Sequence, residues 1–202
     1  SKYFGVLTKM FNIARLASQF EVPKSLDTSP DDLAFEDLWI LSEFDEMMQS
    51  VRTSWEKLDI YSATQSIKAF STGIFPGHWL EMSKSRLYDG DTSATWTLHR
   101  IVRDIMTAFS PVCPFFTDYL STTLYDQSAV DIRNFPSLVI TEKVDVTRYL
   151  SITDDLIDFN SRIWKLKKDQ GLSLKSEISN VVIPASLEVL QSSLITMHSI
   201  SN

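Results

Sequence analysis

The chain has 202 residues, of which 44% are hydrophobic and 22% are charged, and its formal net charge at pH 7 is −7. These values are typical of a folded globular protein and exclude a disordered chain. A protein that coats nucleic acid without specificity needs a broad basic surface, so an acidic chain like this one can bind nucleic acid only through a local patch.

The sequence carries no signal for a membrane or for secretion. None of its apolar runs approaches the roughly 18 to 20 residues of a membrane span, and no charged-then-apolar leader opens it. We therefore expect a cytoplasmic protein. The chain begins with Ser rather than Met, and neither end resembles a natural terminus, which predicts a fragment of a longer protein.

Residues 3–20 are predicted to form the first helix, because apolar residues recur there at helical spacing. The opposite face carries a polar stripe at Thr8, Asn12, Arg15 and Gln19. Such a stripe is usually the solvated face of a helix, so it does not by itself indicate a binding site.

Two further helices are predicted to follow. Ser29 before Pro30 predicts an N-cap and a proline at the first helical position, and the long second helix should keep an apolar face as far as Leu58. Residues 62–65, Ser-Ala-Thr-Gln, have the composition of a capping box and predict the start of the third helix.

The stretch at residues 77–88 combines large rings with cations in a helical pattern. The pair Pro76-Gly77 predicts a kink or a restart of the helix, and the Asp-Gly-Asp sequence at 89–91 predicts the turn that ends it. Rings and cations a few residues apart can stack on bases and neutralise phosphates. The same composition also makes an ordinary half-buried helix, which is the commoner case.

Residues 93–109 predict a helix with one buried stripe, and His99, Arg100 and Arg103 are expected to lie outside that stripe. After a proline-containing break, residues 115–125 predict a shorter helix.

The composition changes after Tyr125. A connection follows, with a possible strand at 138–140, and residues 146–170 then predict one helix that ends at Gly171, a C-cap signal. Short strands within 172–184 and a last helix complete the chain.

Together these elements predict a mainly α fold. Residues 1–140 are expected to form an antiparallel helix bundle. Residues 141–202 are expected to form a small, truncated C-terminal appendage of the α/β type, ordered helix, strand, helix.

No catalytic or metal centre is indicated. The chain has no Gly-x-Ser-x-Gly motif, its five glycines are scattered, and its one cysteine and three histidines lack zinc-binding spacing. Met82-Ser-Lys-Ser85 spells most of the Lys-Met-Ser-Lys-Ser loop that holds ATP in class I aminoacyl-tRNA synthetases. Glu81 replaces the first lysine, however, and the segment is predicted to be helical, so we interpret the four letters as coincidence.

Five short motifs follow one another between residues 11 and 136. They are Asn12-Ile-Ala-Arg15, Asp37-Leu-Trp-Ile-Leu-Ser42, Trp79-Leu-Glu-Met-Ser-Lys-Ser-Arg-Leu-Tyr88, Ser110-Pro-Val-Cys-Pro-Phe-Phe-Thr-Asp118, and Ser128-Ala-Val130 with Phe135-Pro136. Their order and spacing resemble the helical anticodon-binding domain that follows the catalytic domain in class Ia aminoacyl-tRNA synthetases. The third motif is most similar to its form in valyl enzymes. Residues 163–174 resemble an extension of archaeal-type valyl and isoleucyl enzymes.

This resemblance implies a fragment that recognises the anticodon stem-loop of a tRNA, while a catalytic domain outside it would ligate valine to that tRNA. The fragment would have no catalytic residue and no cofactor, whereas the parent ligase would use ATP and Mg²⁺. Its partners would be the tRNA and the catalytic and editing domains of the same chain, and we expect a monomer. An isoleucyl- or leucyl-tRNA synthetase is the alternative within the family.

Eight side chains are candidate RNA contacts, because they can hydrogen-bond a base edge, stack on a base or neutralise a phosphate. They are Asn12, Arg15, His78, Trp79, Lys84, Arg86, Arg100 and Arg103. Asn12 suits a base edge, and His78 or Trp79 suits stacking. The cations at 162–168 are further phosphate candidates, although surface solubility is their favoured interpretation.

A rival interpretation is a helical protein-interaction module whose exposed aromatic side chains pack on a partner. A large exposed apolar patch without a basic rim would favour it. An independent enzyme is the third interpretation, and it lacks a candidate catalytic site.

Overall fold

The structure is a computed structural model that describes residues 2–129 and 135–201. It confirms a mainly α bundle with a small C-terminal appendage. The elements are α1 (Lys2–Ala17), α2 (Phe35–Glu56), α3 (Ile60–Thr72), a π-helical turn (Phe75–Leu80), α4 (Glu81–Tyr88), α5 (Thr92–Phe109), α6 (Pro114–Tyr125), α7 (Thr147–Leu150), α8 (Thr153–Asp169), β1 (Ile178–Ser179), a 3₁₀ helix (Ala185–Leu190), α9 (Gln191–His198) and β2 (Ile200–Ser201). The two short strands pair in parallel. Within the described ranges, none of these helices has both the length and the apolar character needed to cross a bilayer.

Helix α5 is the centre of the bundle, where it packs against α1, α2, α3, α4 and α6. Neighbours on so many sides bury side chains around most of its circumference, so the expected polar face is wrong at two positions. His99 is fully buried, and its ring nitrogens lie 3.2 Å from the Tyr125 hydroxyl and from the Phe20 carbonyl oxygen. Arg100 is 4% exposed and ion-paired with Asp104 at 2.6 Å.

The start of α2 differs from its prediction. The helix begins at Phe35 after an extended Ala34, and Ser29-Pro30 lies before it. A tertiary contact fixes this start, because the Ala34 amide donates a hydrogen bond to the Ser93 hydroxyl on α5. The local N-cap signal is therefore overridden by packing.

The turn between α2 and α3 also differs. Helix α3 begins at Ile60, and the carboxylate of Asp59 accepts the amide of Ser62 at 3.0 Å, so the cap is Asp59 rather than the predicted box at 62–65. Leu58, expected to be the last apolar contact of α2, adopts a left-handed conformation with φ 55° and is 84% exposed.

Pro76-Gly77 does not break the helical path. Residues 75–80 form a π-helical turn that passes directly into α4, and the Gly77 amide donates to the Gly73 carbonyl at 2.8 Å. The wider turn accommodates a proline that has no amide hydrogen to donate. Gly73 is required here, since a Cβ at this position would lie 2.7 Å from the Ala69 carbonyl oxygen.

The predicted strand at 138–140 is wrong, because its backbone bonds to a side chain instead of to another strand. The buried carboxylate of Asp45 on α2 accepts the amides of Val139, Ile140 and Thr141 at 2.7, 2.8 and 2.9 Å. These three hydrogen bonds anchor the connection to the bundle.

The helix predicted over 146–170 is divided into α7 and α8, and Gly171 ends it in the left-handed conformation that was expected, with φ 67°. The appendage packs on the bundle, since α7 contacts α2 and α9 contacts α4. A domain boundary at residue 140 stays a prediction.

Candidate nucleic-acid interface

An open groove of about 480 Å³ lies between α1, the end of α3, the π-helical turn and α4. Its floor is apolar, and its rim carries polar and charged side chains. The floor residues are Ile13, Leu16, Pro76, Gly77 and Leu80, and the rim residues are Lys9, Asn12, Thr72, Glu81, Lys84 and Tyr88. An apolar floor suits the face of an unstacked base, and a cationic rim suits the phosphates on either side of it. We refer to this site as the α1–α4 groove.

The α1–α4 groove brings together two of the eight predicted residues, Asn12 and Lys84. Lys84 forms an ion pair with Glu81 at 2.5 Å, but both side chains are more than 40% exposed. Such a surface pair is weak, so a phosphate can compete for the Lys84 ammonium group. Arg15 is exposed on α1 beside Asn12, and within the described residues it has no ion-pair partner.

Two of the rim residues that were not among the predicted contacts, Lys9 and Tyr88, carry a cation or a ring that can contact RNA. Lys9 lies three residues before Asn12 on α1, and Tyr88 lies four residues after Lys84 on α4, so helical spacing could have found both. Tyr88 is 65% exposed, and its ring packs edge-on against Phe20 with centroids 5.4 Å apart. The groove therefore has an exposed ring whose position is fixed by a neighbour.

Trp79 is a core residue, which corrects the expectation that it stacks on a base. Its side chain is fully buried, and its indole nitrogen donates to Asp37 at 2.9 Å. Its ring stacks on Phe75 at a centroid distance of 5.4 Å. The π-helical turn directs this side chain into the bundle, so no face of the ring is open to RNA.

His78 is half-buried and turned toward the appendage. Its Nδ1 lies 2.9 Å from the amide nitrogen of Asn160 on α8, and its ring lies 5.4 Å from that of Trp164. Burial lowers the pKa of His78. The expected stacking of His78 on RNA is not supported, because the ring packs against α8 instead.

Arg86 is neutralised by three carboxylates. Its guanidinium makes two hydrogen bonds to Asp37, at 3.1 and 2.7 Å, and others to Asp91, while Glu36 lies 3.2 Å away. Burial opposes its charge, but the hydrogen bonds and charge of Asp37 outweigh burial and raise the pKa of Arg86. Arg86 therefore links α2 to the turn before α5 and is not available to a phosphate.

Arg100 and Arg103 lie outside the α1–α4 groove. Arg100 is buried with Asp104, as described above, and Arg103 pairs with both Asp27 and Asp104, at 2.9 and 3.0 Å. Their assignment as phosphate contacts is not supported. In the C-terminal cluster, Lys167 is fully buried and donates to the carbonyl oxygens of Leu174 and His198, both at 2.7 Å.

A buried polar chain joins the π-helical turn to the appendage. His198 lies 2.6 Å from the side-chain oxygen of Asn160, whose amide nitrogen faces His78. An amide oxygen accepts and an amide nitrogen donates, so this arrangement requires the N–H form at His198 and a free lone pair at His78. Burial, with the nearby charge of Lys167, lowers the pKa of His198 to about 4.

We expect the free energy of unfolding to decrease as the pH falls from about 6.5 toward 4. In this window His198 is protonated in the unfolded chain but not in the folded one, so protons favour unfolding. Urea denaturation between pH 7.5 and 4 measures the loss. His198→Gln keeps an N–H donor that does not titrate, so its stability should decline less steeply. Equal slopes in both proteins would contradict the assignment.

The fold and the α1–α4 groove define a helical-bundle domain with a groove that has an apolar floor and cations on its rim. Comparison with known families identifies it more closely. The family model described as the anticodon-binding domain of tRNA ligase matches residues 37–183, and the chain belongs to this family.

Curated relatives agree with this family. The chain is 29% identical to the valine–tRNA ligase of Aeropyrum pernix, over 95% of this chain and 24% of the relative. It is 29% identical to that of Saccharolobus solfataricus, over 92% of this chain and 22% of the relative, and 28% identical to that of Nanoarchaeum equitans, over 96% and 24%. The chain thus spans about a quarter of the length of these relatives.

Proposed function

We propose that this chain binds the anticodon stem-loop of a valine-accepting tRNA as one part of a valine–tRNA ligase. The observation that carries the proposal is the α1–α4 groove, which combines Asn12, Lys84 and an exposed Tyr88 in a domain of the anticodon-binding family. Its basic rim favours RNA over the rival proposal of a protein-interaction module.

In the proposed complex, a loop base leaves the stack and lies on the floor of the groove against the Tyr88 ring. Such bases are recognised by stacking and by hydrogen bonds to their edges. The Asn12 amide has both a donor and an acceptor for that edge. Lys9 and Lys84 on the rim, with Arg15 next to Asn12 on α1, would contact the phosphates on either side.

Ligation itself would belong to the rest of the parent protein, and ATP and Mg²⁺ would bind there. Within this chain, Met82–Ser85 lies in helix α4 with Met82 and Ser83 buried. A mobile ATP loop needs an accessible backbone, so this helix supports the coincidental interpretation of the motif.

The test is the binding of a valine anticodon stem-loop of about 17 nucleotides, which is enough for five base pairs and a seven-base loop. Binding is measured by fluorescence anisotropy at several salt concentrations. Affinity should fall steeply with salt, because phosphate contacts release counterions. Arg15→Ala should weaken binding about three- to tenfold and reduce the salt slope by about one unit. Lys57→Ala, which removes an exposed cation at the α2–α3 turn, is the matched control.

Absence of binding at low salt, or binding that does not depend on salt, would contradict the proposal. Amino-acid identity requires a second comparison. Valine, isoleucine and leucine anticodons share a middle A and differ at the third base, which is C for valine, U for isoleucine, and G or A for leucine. Stem-loops that differ only at this base therefore separate the three alternatives, and we expect the C form to bind most tightly.

A further inference from the structure

The π-helical turn has three faces, and each of them meets a different part of the molecule. Pro76, Gly77 and Leu80 lie in the floor of the α1–α4 groove. Trp79 points into the bundle, where it is fully buried. His78 points toward the appendage and meets α8. One short turn therefore carries both the floor of the groove and a contact with the appendage.

Asn160 is the residue through which α8 holds this turn. Its side chain is fully buried, its amide nitrogen donates to Nδ1 of His78 at 2.9 Å, and its amide oxygen accepts from Nε2 of His198 at 2.6 Å. The Trp164 ring packs beside both histidines, at centroid distances of 5.4 and 6.1 Å. Because His198 is the last residue of α9, a single amide joins the π-helical turn, α8 and α9.

The two hydrogen bonds of Asn160 are directional, which distinguishes them from the apolar contacts around them. The donor end of the amide must face His78, and the acceptor end must face His198. Apolar side chains tolerate a small rotation of one helix on another, whereas a fully satisfied polar network in a core specifies one arrangement. Asn160 therefore fixes where α8 lies relative to the turn.

A second polar connection links the appendage to helix α4. The two helices α9 and α4 pack together, and the Ser193 hydroxyl on α9 donates to Glu36 at 3.0 Å. Glu36 in turn lies 3.2 Å from the guanidinium of Arg86 on α4. The same helix carries Lys84 and Tyr88 on the rim of the groove. The appendage is thus bonded behind both elements, the turn and α4, that form the floor and one rim of the groove.

The appendage does not enter the groove itself. The described residues that line the groove come from α1, α3, the π-helical turn and α4, and none of them belongs to α8 or α9. An effect of Asn160 on RNA binding would therefore act through the positions of the turn and α4. If docking of the appendage raises the affinity for RNA, RNA must favour docking by the same factor.

We propose that Asn160 is a positioning residue for RNA binding: it docks the appendage behind the π-helical turn and α4, and thereby holds the α1–α4 groove in the arrangement that binds RNA. This inference rests on the proposed function. Docking of the appendage and binding of RNA favour each other, although they take place on different faces of the turn.

The first test compares binding of the valine anticodon stem-loop by the unaltered chain, by Asn160→Leu and by Ser161→Leu. Leucine has about the volume of Asn160 but makes neither hydrogen bond. Ser161→Leu places the same side chain at the adjacent, exposed position of α8 and is the matched control. Asn160→Leu should weaken binding about three- to tenfold. Its salt slope should stay unchanged, because Asn160 carries no charge and contacts no phosphate. Ser161→Leu should bind like the unaltered chain.

His78→Phe is the second variant, and it takes the place of Asn160→Leu if that protein does not fold. The phenyl ring keeps the packing on Trp164 but has no lone pair for the Asn160 amide. His78→Phe should weaken RNA binding as well. The double variant should lose no more affinity than Asn160→Leu alone, because both substitutions break the same connection.

Hydrogen exchange gives a readout that a purely stabilising residue would not change. Saturating stem-loop should slow exchange of the backbone amides of α8 and α9 in the unaltered chain, since RNA favours docking of the appendage. This protection should be smaller in Asn160→Leu.

Equal RNA affinity of the unaltered chain and a folded Asn160→Leu would overturn the proposal, as would additive losses in the double variant or exchange in α8 and α9 that RNA does not slow. A salt slope altered by Asn160→Leu would indicate direct contact between RNA and the appendage, which also overturns it. If the unaltered chain binds the stem-loop in an Arg15-dependent manner, the proposed function survives each of these results. If the unaltered chain does not bind the stem-loop at all, both proposals fail.

Discussion

Replacing Asp37 with alanine is expected to lower the free energy of unfolding by about 4 kcal/mol. The Asp37 carboxylate is fully buried and accepts hydrogen bonds from three other elements: from the Trp79 indole at 2.9 Å, from the Arg86 guanidinium at 3.1 and 2.7 Å, and from the Ser93 hydroxyl at 2.5 Å. Alanine removes the acceptor that all three share.

The magnitude follows from what remains after the substitution. Arg86 is only 19% exposed, so its charge would lose its closest partner without gaining full hydration. Removing one member of a buried pair costs more than the pair contributes, because the other charge stays buried. The buried indole nitrogen of Trp79 would also lack an acceptor.

Urea denaturation of the variant at pH 7 measures this loss. Asp31→Ala removes an exposed carboxylate shortly before α2 and should leave stability nearly unchanged. The double variant Asp37→Leu with Arg86→Met removes both charges and should recover part of the loss. A destabilisation by Asp37→Ala no larger than that of Asp31→Ala would contradict the structural role assigned to the carboxylate.

Replacing Tyr88 with alanine is expected to weaken binding of the valine anticodon stem-loop about 10- to 100-fold. The ring is 65% exposed, lines the α1–α4 groove and is held by Phe20, so it can stack on a base with little additional ordering. Because tyrosine carries no charge at pH 7, the dependence of affinity on salt should keep its slope.

Two variants separate stacking from other effects. Tyr88→Phe keeps the ring and should retain most of the affinity. Tyr61→Ala removes a tyrosine that is 71% exposed at the start of α3, whereas the groove is formed by the other end of that helix. Comparable losses for Tyr88→Ala and Tyr61→Ala would exclude a specific stacking role, as would a full loss with Tyr88→Phe.

Helix type was predictable over most of the chain, because apolar periodicity reflects which faces are removed from water. Helix ends were less predictable. Ser29-Pro30 is a good local start signal, but the hydrogen bond from Ala34 to Ser93 moves the start of α2 to Phe35. The sequence at 138–140 is typical of a strand. In the structure its amides donate to Asp45, which lies on a helix far away in the sequence.

The motif at 79–88 shows that the sequence also could not predict which of its residues line the groove. Trp79, Lys84 and Arg86 belong to one motif, yet only Lys84 lines the groove. Trp79 and Arg86 bond to Asp37, which belongs to the preceding motif, so the resemblance that identified the family also marks residues that hold the fold together. Residue types alone cannot separate RNA contacts from residues that stabilise the fold, since both roles use rings and cations.

From its sequence alone, this protein is determined to be a mainly α bundle of the anticodon-binding family, because periodicity, turn signals and motif order are local properties of the chain. Only the tertiary structure decides which of the candidate side chains are accessible. Arg86 and Arg100 are neutralised by carboxylates, whereas Asn12, Lys84 and Tyr88 meet in a groove. The physical reason is that exposure and ion pairing depend on which elements pack together, and α1 and α4 are distant in the chain.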